Sequence, residues 1–294
     1  ADFFFEVPLT TNTKNITVQF GTSSNKFMMM LDCIKLEMKA VDIAADGVTT
    51  VECEDYAKFF AVSGGELEAG QGAGTFAKVL NKGQASNSQC LYFETGKYTG
   101  NSTVAQAAIP VSVTEAGTYI IAITSTSVGS ASKLKVVVDG TTYERKSTVS
   151  RGNIYENANY PGADFFFEVP LTTNTKNITV QFGTSSNKFM MMLDCVKLKK
   201  SAETAISKTT GAATVKYTAA EGPSEAGIAV LALYKDDQLV SVEKWNVVPE
   251  VVLNEIVLSY TTEYDGDYDE AKVFVWKDFD KCLPLVVAKD LTIN

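Results

Sequence analysis

The sequence contains no histidine. This absence removes the commonest general base, the usual serine triad and the usual zinc ligand. A basic surface is lacking as well, because 26 Lys and Arg residues face 35 Asp and Glu residues, a formal net charge of −9. That balance argues against a nucleic-acid partner. No apolar run reaches about 18 residues, so we expect no membrane-spanning segment.

Cysteine is scarce, and the five cysteines form no C-x-x-C motif. Four of them lie inside apolar or alternating runs, which predicts small buried hydrophobes. A Cys53–Cys195 disulfide is the alternative, if the first and last strands of that domain pair. The five residues are Cys33, Cys53, Cys90, Cys195 and Cys282.

One long segment occurs twice. Residues 1–36 and 163–198 differ only where Ile34 is replaced by Val196. The second copy closes a long β-rich stretch, whereas no such stretch precedes the first copy. Three or four strands cannot bury both of their faces alone. We therefore expect another copy of the chain, or an upstream polypeptide, to complete residues 1–38.

Two triple runs in the first copy place apolar side chains on both faces of a strand, where a half-buried strand would alternate. We interpret them as an assembly interface, and plain core packing is the alternative. The runs are Phe3, Phe4, Phe5 and Met28, Met29, Met30.

Period-two patterns rich in β-branched and aromatic residues dominate the chain, with turns marked by Gly, Asn and Ser. The sequence therefore predicts an all-β chain of tandem β-sandwiches. The expected domains are residues 1–38, the C-terminal half of a sandwich, then a linker over 39–50, a complete sandwich over 51–199, and an immunoglobulin-like sandwich over 200–294.

Four sequence pieces occur in order along the complete sandwich: Val51-Glu-Cys-Glu-Asp-Tyr56, Glu115-Ala-Gly-Thr-Tyr119, Leu134-Lys-Val-Val-Val-Asp-Gly140, and a closing set of Val169-Pro-Leu, Ile178-Thr-Val and Leu193-Asp-Cys-Val-Lys-Leu198. In this order they resemble the jelly-roll carbohydrate-binding modules of families 6 and 35. Residues 1–36 resemble only the closing half of such a module.

The last part of the chain resembles the small immunoglobulin-like domains of clostridial surface and polysaccharide-degrading proteins. The resemblance is carried by Ala229-Val-Leu-Ala-Leu-Tyr234, Leu239-Val-Ser-Val242, Lys272-Val-Phe-Val-Trp276 and Pro284-Leu285.

The first resemblance implies a structural Ca²⁺ site. Glu52 and Glu54 alternate along one strand, so both carboxylates project from the same face. In the resembling families this strand provides carboxylates together with an Asp of the closing strand, which is Asp194 in this sequence. Oxygen ligands suit Ca²⁺, and a solvated acidic edge is the alternative.

Sugar binding needs aromatic rings that stack on pyranose faces and polar side chains that bind hydroxyls. The segment 151–161 offers two tyrosines and two asparagines, and the resemblance implies a further ligand-binding Asn in the 185–187 turn. Neither tryptophan lies in this sandwich, so an ordinary polar loop is the alternative. The candidates are Tyr155, Asn157, Asn159, Tyr160 and Asn187.

From these features we expect no enzyme. The favoured interpretation is a non-catalytic carbohydrate-binding or adhesion module, extracellular or on the cell surface, in a larger bacterial protein. The alternative is a structural subunit of an extracellular fibre or surface assembly, in which a neighbouring chain completes the half domain.

Overall fold

The structure, a computed structural model, describes residues 40–53, 60–63, 66–67, 78–81, 85–95, 98–99, 103–126, 134–152, 162–184, 189–218, 221–222, 224–278, 280–281 and 283–294. The chain divides after Met38, and all described residues belong to the unit Lys39–Asn294. Its elements are β-strands apart from short 3-10 turns such as Ser86–Ser88, so the prediction of an all-β chain is confirmed. None of the described residues forms a helix that is long and apolar enough to cross a membrane.

The first sandwich contains fifteen strands among the described residues. They are β1 (Val41–Ile43), β2 (Thr49–Glu52), β3 (Phe60–Ser63), β4 (Glu66–Leu67), β5 (Lys78–Asn81), β6 (Gln89–Thr95), β7 (Tyr98–Thr99), β8 (Thr103–Val113), β9 (Gly117–Thr126), β10 (Lys135–Val138), β11 (Thr141–Tyr143), β12 (Ser147–Gly152), β13 (Gly162–Leu171), β14 (Asn177–Thr184) and β15 (Phe189–Lys200).

Two sheets form this sandwich. The first has the order β1-β8-β14-β10-β11, with β3 also beside β8, and the second has the order β12-β13-β9-β15-β6-β5, with β2 also beside β15. Strands β10 and β11 of the first sheet contact β13 of the second. Strands β4 and β7 pair separately as a short ribbon.

Burial follows the sequence pattern. On β10, Val136 and Val138 are buried and alternate with half-buried neighbours, as expected for a strand with one covered face. Strand β13 is different, because Phe165, Phe166 and Phe167 are all buried. A continuous apolar run is typical of a strand that is covered on both faces.

The stretch 39–50, which the sequence suggests as a linker, contributes strand β1 and the start of β2. Val41 and Ile43 flank Asp42, and β1 adds to the first sheet parallel to β8. Ile43 is buried, so this short segment gains enough apolar contact to join the sandwich.

The second sandwich has two five-stranded sheets, in the orders β20-β21-β17-β16-β25 and β19-β18-β22-β23, with β24 also beside β22. Alternating side chains from both sheets form one core. Its strands are β16 (Ala205–Ile206), β17 (Ala212–Thr218), β18 (Gly227–Lys235), β19 (Gln238–Val247), β20 (Glu250–Val252), β21 (Glu255–Thr261), β22 (Glu270–Asp278), β23 (Leu283–Pro284), β24 (Lys289–Asp290) and β25 (Thr292–Ile293).

A hairpin tip of the second sandwich contacts the first. Val252 pairs with Glu255, so Leu253 and Asn254 form a two-residue turn, with φ of 50° and 67°. Such left-handed pairs fit the twist of a hairpin, although Leu is unusual there. The Leu253 side chain packs against a buried cluster on the outer face of β9 and β13 formed by Ile120, Ala122 and Phe166.

Glu255, the next residue, binds the segment that connects the sandwiches. Its Oε1 accepts a hydrogen bond of 2.6 Å from Ser201 Oγ, and its Oε2 accepts one of 3.3 Å from the Ala202 backbone N–H. Lys199 Nζ and Lys216 Nζ lie 3.9 and 3.8 Å from the carboxylate. This contact and the Leu253 contact together are called the junction below.

Candidate functional site at the loop end of the first sandwich

Strand registers place several loops at one end of the first sandwich. Gly162, at the start of β13, pairs with Thr126, at the end of β9. Phe189, at the start of β15, pairs with Thr95, at the end of β6. Only four residues separate Phe189 from Thr184, the end of β14 in the other sheet. The segments 153–161 and 185–188 therefore leave their strands at this end, which we call the loop end.

The five predicted sugar-binding residues lie outside the described residues, within the segments 153–161 and 185–188. The flanking strands bring the attachment points of these segments to the loop end. The role of the individual side chains stays a prediction. They are Tyr155, Asn157, Asn159, Tyr160 and Asn187.

The predicted assembly residues, from Phe3 to Phe5 and from Met28 to Met30, also lie outside the described residues, as does Glu54. The completion of residues 1–38 by another copy or by an upstream polypeptide stays a prediction.

Two of the predicted calcium ligands come together in the structure. Strand β2 pairs with β15 so that Glu52 lies opposite Cys195. On β15, Leu193 pairs with Ser125 of β9, and Val196 pairs with Ile123. Between these two pairs β15 therefore contains one residue more than β9. This is a bulge, which re-aims side chains. The ligand atoms of Glu52, Asp194 and Cys195 all lie within 4.8 Å of one another.

A 3-10 turn provides the hydrogen bonds of this cluster. The Ser86 backbone N–H donates to Asp194 Oδ1 at 2.8 Å, and Ser86 Oγ donates to Glu52 Oε1 at 2.8 Å. Glu52 Oε2 is buried and has no hydrogen-bond partner among the described residues. A buried carboxylate oxygen without a partner is costly, which marks this position as one that a cation could stabilise.

Electrostatics agree with that interpretation. Burial raises the pKa of Asp194 to about 6, the Ser86 N–H opposes the rise, and the charge of Glu52 adds to it. Burial, and then the charge of Asp194, raise the pKa of the Cys195 thiol to about 11. The thiol is therefore protonated at neutral pH and is a poor ligand for a soft metal ion, whereas the two carboxylates suit a hard cation such as Ca²⁺.

A second buried carboxylate lies close to the loop end. Asp164 Oδ1 accepts a hydrogen bond of 2.6 Å from Thr124 Oγ1, and Asp164 Oδ2 accepts one of 2.5 Å from Arg151 Nε. Thr124 pairs with Asp164 across β9 and β13, and its neighbours Ser125 and Ile123 pair with Leu193 and Val196, which flank Asp194 and Cys195 on β15. The two clusters therefore adjoin each other beneath the loop end.

Sequence reasoning did not find Ser86, Cys195, Thr124 or Asp164 as members of these clusters. Asp164 directly precedes the three phenylalanines of β13. The only signal in the sequence is that a charged residue stands among apolar residues near the start of this strand. Ser86 has no distinguishing pattern, because its partners lie more than thirty residues away.

Three cysteines, Cys53, Cys90 and Cys195, are buried thiols. This matches the expected use of cysteine as a small hydrophobe, and the alternative Cys53–Cys195 disulfide is not formed. Cys33 and Cys282 lie outside the described residues.

Comparison with known proteins gives distant structural neighbours only. No family model matches the chain. No curated protein matches it either. The α-1,3-glucanase catalytic domain of glycoside hydrolase family 87, in complex with nigerose, matches with 10% identity over 53% of this chain and 29% of its own, at a TM-score of 0.25.

Two further solved structures are similar at the same level. The Agl-KA catalytic domain matches with 15% identity over 62% of this chain and 34% of its own, at a TM-score of 0.27. The glycoside hydrolase domain of Endo-D from Streptococcus pneumoniae R6 matches with 9% identity over 79% of this chain and 37% of its own, at a TM-score of 0.25. The chain thus spans about a third of the length of each structure that it matches. Likeness this weak does not assign a reaction.

These neighbours correct one conclusion of the sequence analysis. The chain was expected not to be an enzyme, and to act as a non-catalytic binding module or, alternatively, as a fibre subunit. The proteins that the comparison connects with it are instead named as catalytic or glycoside hydrolase domains. Both expectations are contradicted and are given up. The composition and strand pattern that suggested them report on the fold and not on catalysis.

Proposed function

We propose that this chain is the polysaccharide-engaging part of a carbohydrate-active enzyme, and that it engages polysaccharide at the loop end of the first sandwich. The observation that carries the proposal is the strand register, which brings the attachment points of both predicted sugar-binding segments to one end. Tyrosine rings can stack on sugar rings, and asparagine amides can bind their hydroxyls.

The position of the second sandwich supports the choice of this end. Strand β15 starts at the loop end with Phe189 and finishes with Lys200, at the opposite end. Ser201, which follows directly, belongs to the junction. The Ser201 contact of the junction therefore lies at the end of β15 opposite to the loop end.

The finer resemblances belong to the same proposal. Pairing of the first and last strands of the 51–198 region, β2 with β15, agrees with a module like those of families 6 and 35, and a separate two-sheet unit agrees with an immunoglobulin-like domain. Because polysaccharides of this size do not enter cells, the proposal includes a location outside the cell or on its surface.

Retention on polysaccharide tests the proposal. The chain is mixed with insoluble α-1,3-glucan and with insoluble xylan, and both the bound fraction and the reducing ends released are measured. We expect retention on at least one of the two, and expect Tyr155→Ala and Tyr160→Ala to abolish it. Tyr143→Ala, which changes a tyrosine of β11, should bind like the parent. A parent chain that neither binds nor cleaves either polysaccharide would overturn the proposal.

We further propose that Glu52 and Asp194 hold a structural Ca²⁺, with Glu54 as the expected third carboxylate. The unpartnered Glu52 oxygen and the raised pKa of Asp194 support it. An ion that binds only the folded state stabilises it by about 2.7 kcal/mol at a hundredfold excess over the dissociation constant. Thermal unfolding should therefore occur at lower temperature in EDTA and recover with added Ca²⁺. A Glu52→Gln variant should lose this response, and a parent midpoint that EDTA leaves unchanged would remove the site.

A further inference from the structure

We infer that Arg151 is a further polysaccharide-binding residue, held in position by the buried carboxylate of Asp164. The inference rests on the proposed function and deepens it, because it adds a charged donor at the base of the segment 153–161. Arg151 is the first residue of the segment 151–161, whose predicted sugar-binding residues are two tyrosines and two asparagines.

The position of Arg151 suits contact with a ligand. It lies near the end of β12, two residues before the segment 153–161, and its side chain is 42% exposed, whereas that of Asp164 is only 10% exposed. The guanidinium thus has one side against a buried anion and another at the surface.

Most of the hydrogen-bonding capacity of Arg151 is unused within the described part of the chain. Its Nε donates to Asp164 Oδ2 at 2.5 Å. No other hydrogen bond or ion pair of Arg151 occurs among the described residues. A guanidinium has five N–H donors in a planar fork, and no described residue accepts from the four donors on its two terminal nitrogens.

Asp164 fixes the plane of this fork. Its two carboxylate oxygens are used by different partners, Thr124 Oγ1 on one side and Arg151 Nε on the other. Asp164 lies on β13 opposite Thr124 of β9 and opposite Val149 of β12, so three neighbouring strands determine its orientation. Donors that are oriented before binding lose less side-chain entropy when a ligand arrives.

The charges define the class of ligand. The Arg151 cation is offset by the Asp164 anion, and the whole chain has a formal net charge of −9, so an anionic polysaccharide would be repelled at longer range. Neutral sugars instead present adjacent ring hydroxyl oxygens as acceptors. A planar fork of N–H donors with a neighbouring counter-ion fits a neutral polysaccharide of this kind.

The two arginines of the sequence provide a matched test. Arg145 is the only other arginine, and its guanidinium stacks over the Phe165 ring at 5.3 Å. Binding isotherms of the full chain on insoluble α-1,3-glucan and insoluble xylan are compared for the parent, Arg151→Ala, Arg151→Lys, Asp164→Asn and Arg145→Ala. Thermal midpoints are measured for every variant, so that misfolded protein is recognised.

Loss of hydrogen bonds from a charged donor should weaken binding about ten- to hundredfold in Arg151→Ala. Arg151→Lys should stay at least fivefold weaker, because an ammonium lacks the planar fork. Asp164→Asn should weaken binding less than Arg151→Ala does and leave the amount of protein bound at saturation unchanged. Arg145→Ala should bind like the parent.

Three outcomes would overturn the inference. If a folded Arg151→Ala variant binds within twofold of the parent, Arg151 has no role although the proposed function stands. Full binding by Arg151→Lys would show that charge alone acts. A parent chain that fails to bind either polysaccharide would remove the proposed function first, and the inference with it.

Discussion

Two buried carboxylates, one in the junction and one beneath the loop end of the first sandwich, have very different surroundings. Glu255, in the junction, is 3% exposed, and both of its oxygens accept hydrogen bonds, with two lysine ammonium groups within 4 Å. Asp194, beneath the loop end, is 4% exposed, and its close neighbours are one backbone N–H and a second carboxylate, that of Glu52.

The difference separates a structural role from a ligand-binding one. A buried anion that only holds parts of a protein together is neutralised by that protein, as Glu255 is by Lys199 and Lys216. Asp194 instead has a raised pKa, and its neighbour Glu52 has a buried oxygen without a partner among the described residues. Within the described residues no ammonium or guanidinium group lies at ion-pair distance from this pair, so a proton or a cation from solution would stabilise it.

The largest effect should come from the apolar half of the junction. Phe166 is 6% exposed and packs with Ile120, Ala122 and Leu253. Phe166→Ala should lower the free energy of unfolding by about 3–5 kcal/mol, because a buried aromatic ring leaves a cavity.

The control for this variant is Phe274→Ala, since Phe274 is half-buried on the outer face of the second sandwich. In urea titrations of both variants, Phe274→Ala should lower the free energy of unfolding much less than Phe166→Ala. If the two variants lower the free energy of unfolding equally, Leu253 does not cover Phe166, and the apolar contact of the junction is contradicted.

The polar half of the junction should contribute nearly as much. Glu255→Ala leaves Lys199, Lys216 and Ser201 without their shared acceptor, and breaking a buried ion pair costs about 3 kcal/mol or more. Chemical denaturation should show this loss, whereas Glu144→Ala should change stability by less than about 1 kcal/mol, because its pair with Lys135 is exposed. If Glu255→Ala lowers the free energy of unfolding no more than Glu144→Ala does, Glu255 has no structural role that distinguishes it from Asp194.

The strands were predictable from local sequence, and the contrast between the carboxylates was not. Runs such as Thr118–Thr124 and Gly227–Tyr234 carry β-branched and aromatic residues that favour strands wherever they pack. Strand β1 was taken for a linker, because a three-residue strand is recognisable only through its partner β8. The Leu253-Asn254 turn lacks the Gly that usually marks such a hairpin.

The candidate site was predictable only in part, because its members lie far apart in the chain. Glu52 and Asp194 were named from a family resemblance, and the structure brings them together through the pairing of β2 with β15. Cys195 joins them because of a bulge, and Ser86 because of a 3-10 turn. Both features depend on pairings between distant strands, which a local pattern does not contain.

The pH dependence of stability should sharpen the comparison further, through Asp194. Its pKa in the folded protein is raised to about 6 from an ordinary value of 3.8, so the folded state holds a proton that the unfolded state has lost between those two pH values. The free energy of unfolding of the metal-free protein should therefore fall as pH rises from about 4 to about 6, by about 2–3 kcal/mol from this group. Above pH 6 the contribution should be constant.

Urea titrations across this range, with EDTA present, measure the slope, and Asp194→Asn should flatten it, because an amide does not titrate. Saturating Ca²⁺ should cancel the fall in the parent, since a bound cation stabilises the ionised carboxylate that burial destabilises. A metal-free parent with the same slope as Asp194→Asn would show that Asp194 is neutralised within its own chain, as Glu255 is, and the distinction between the two carboxylates would end there.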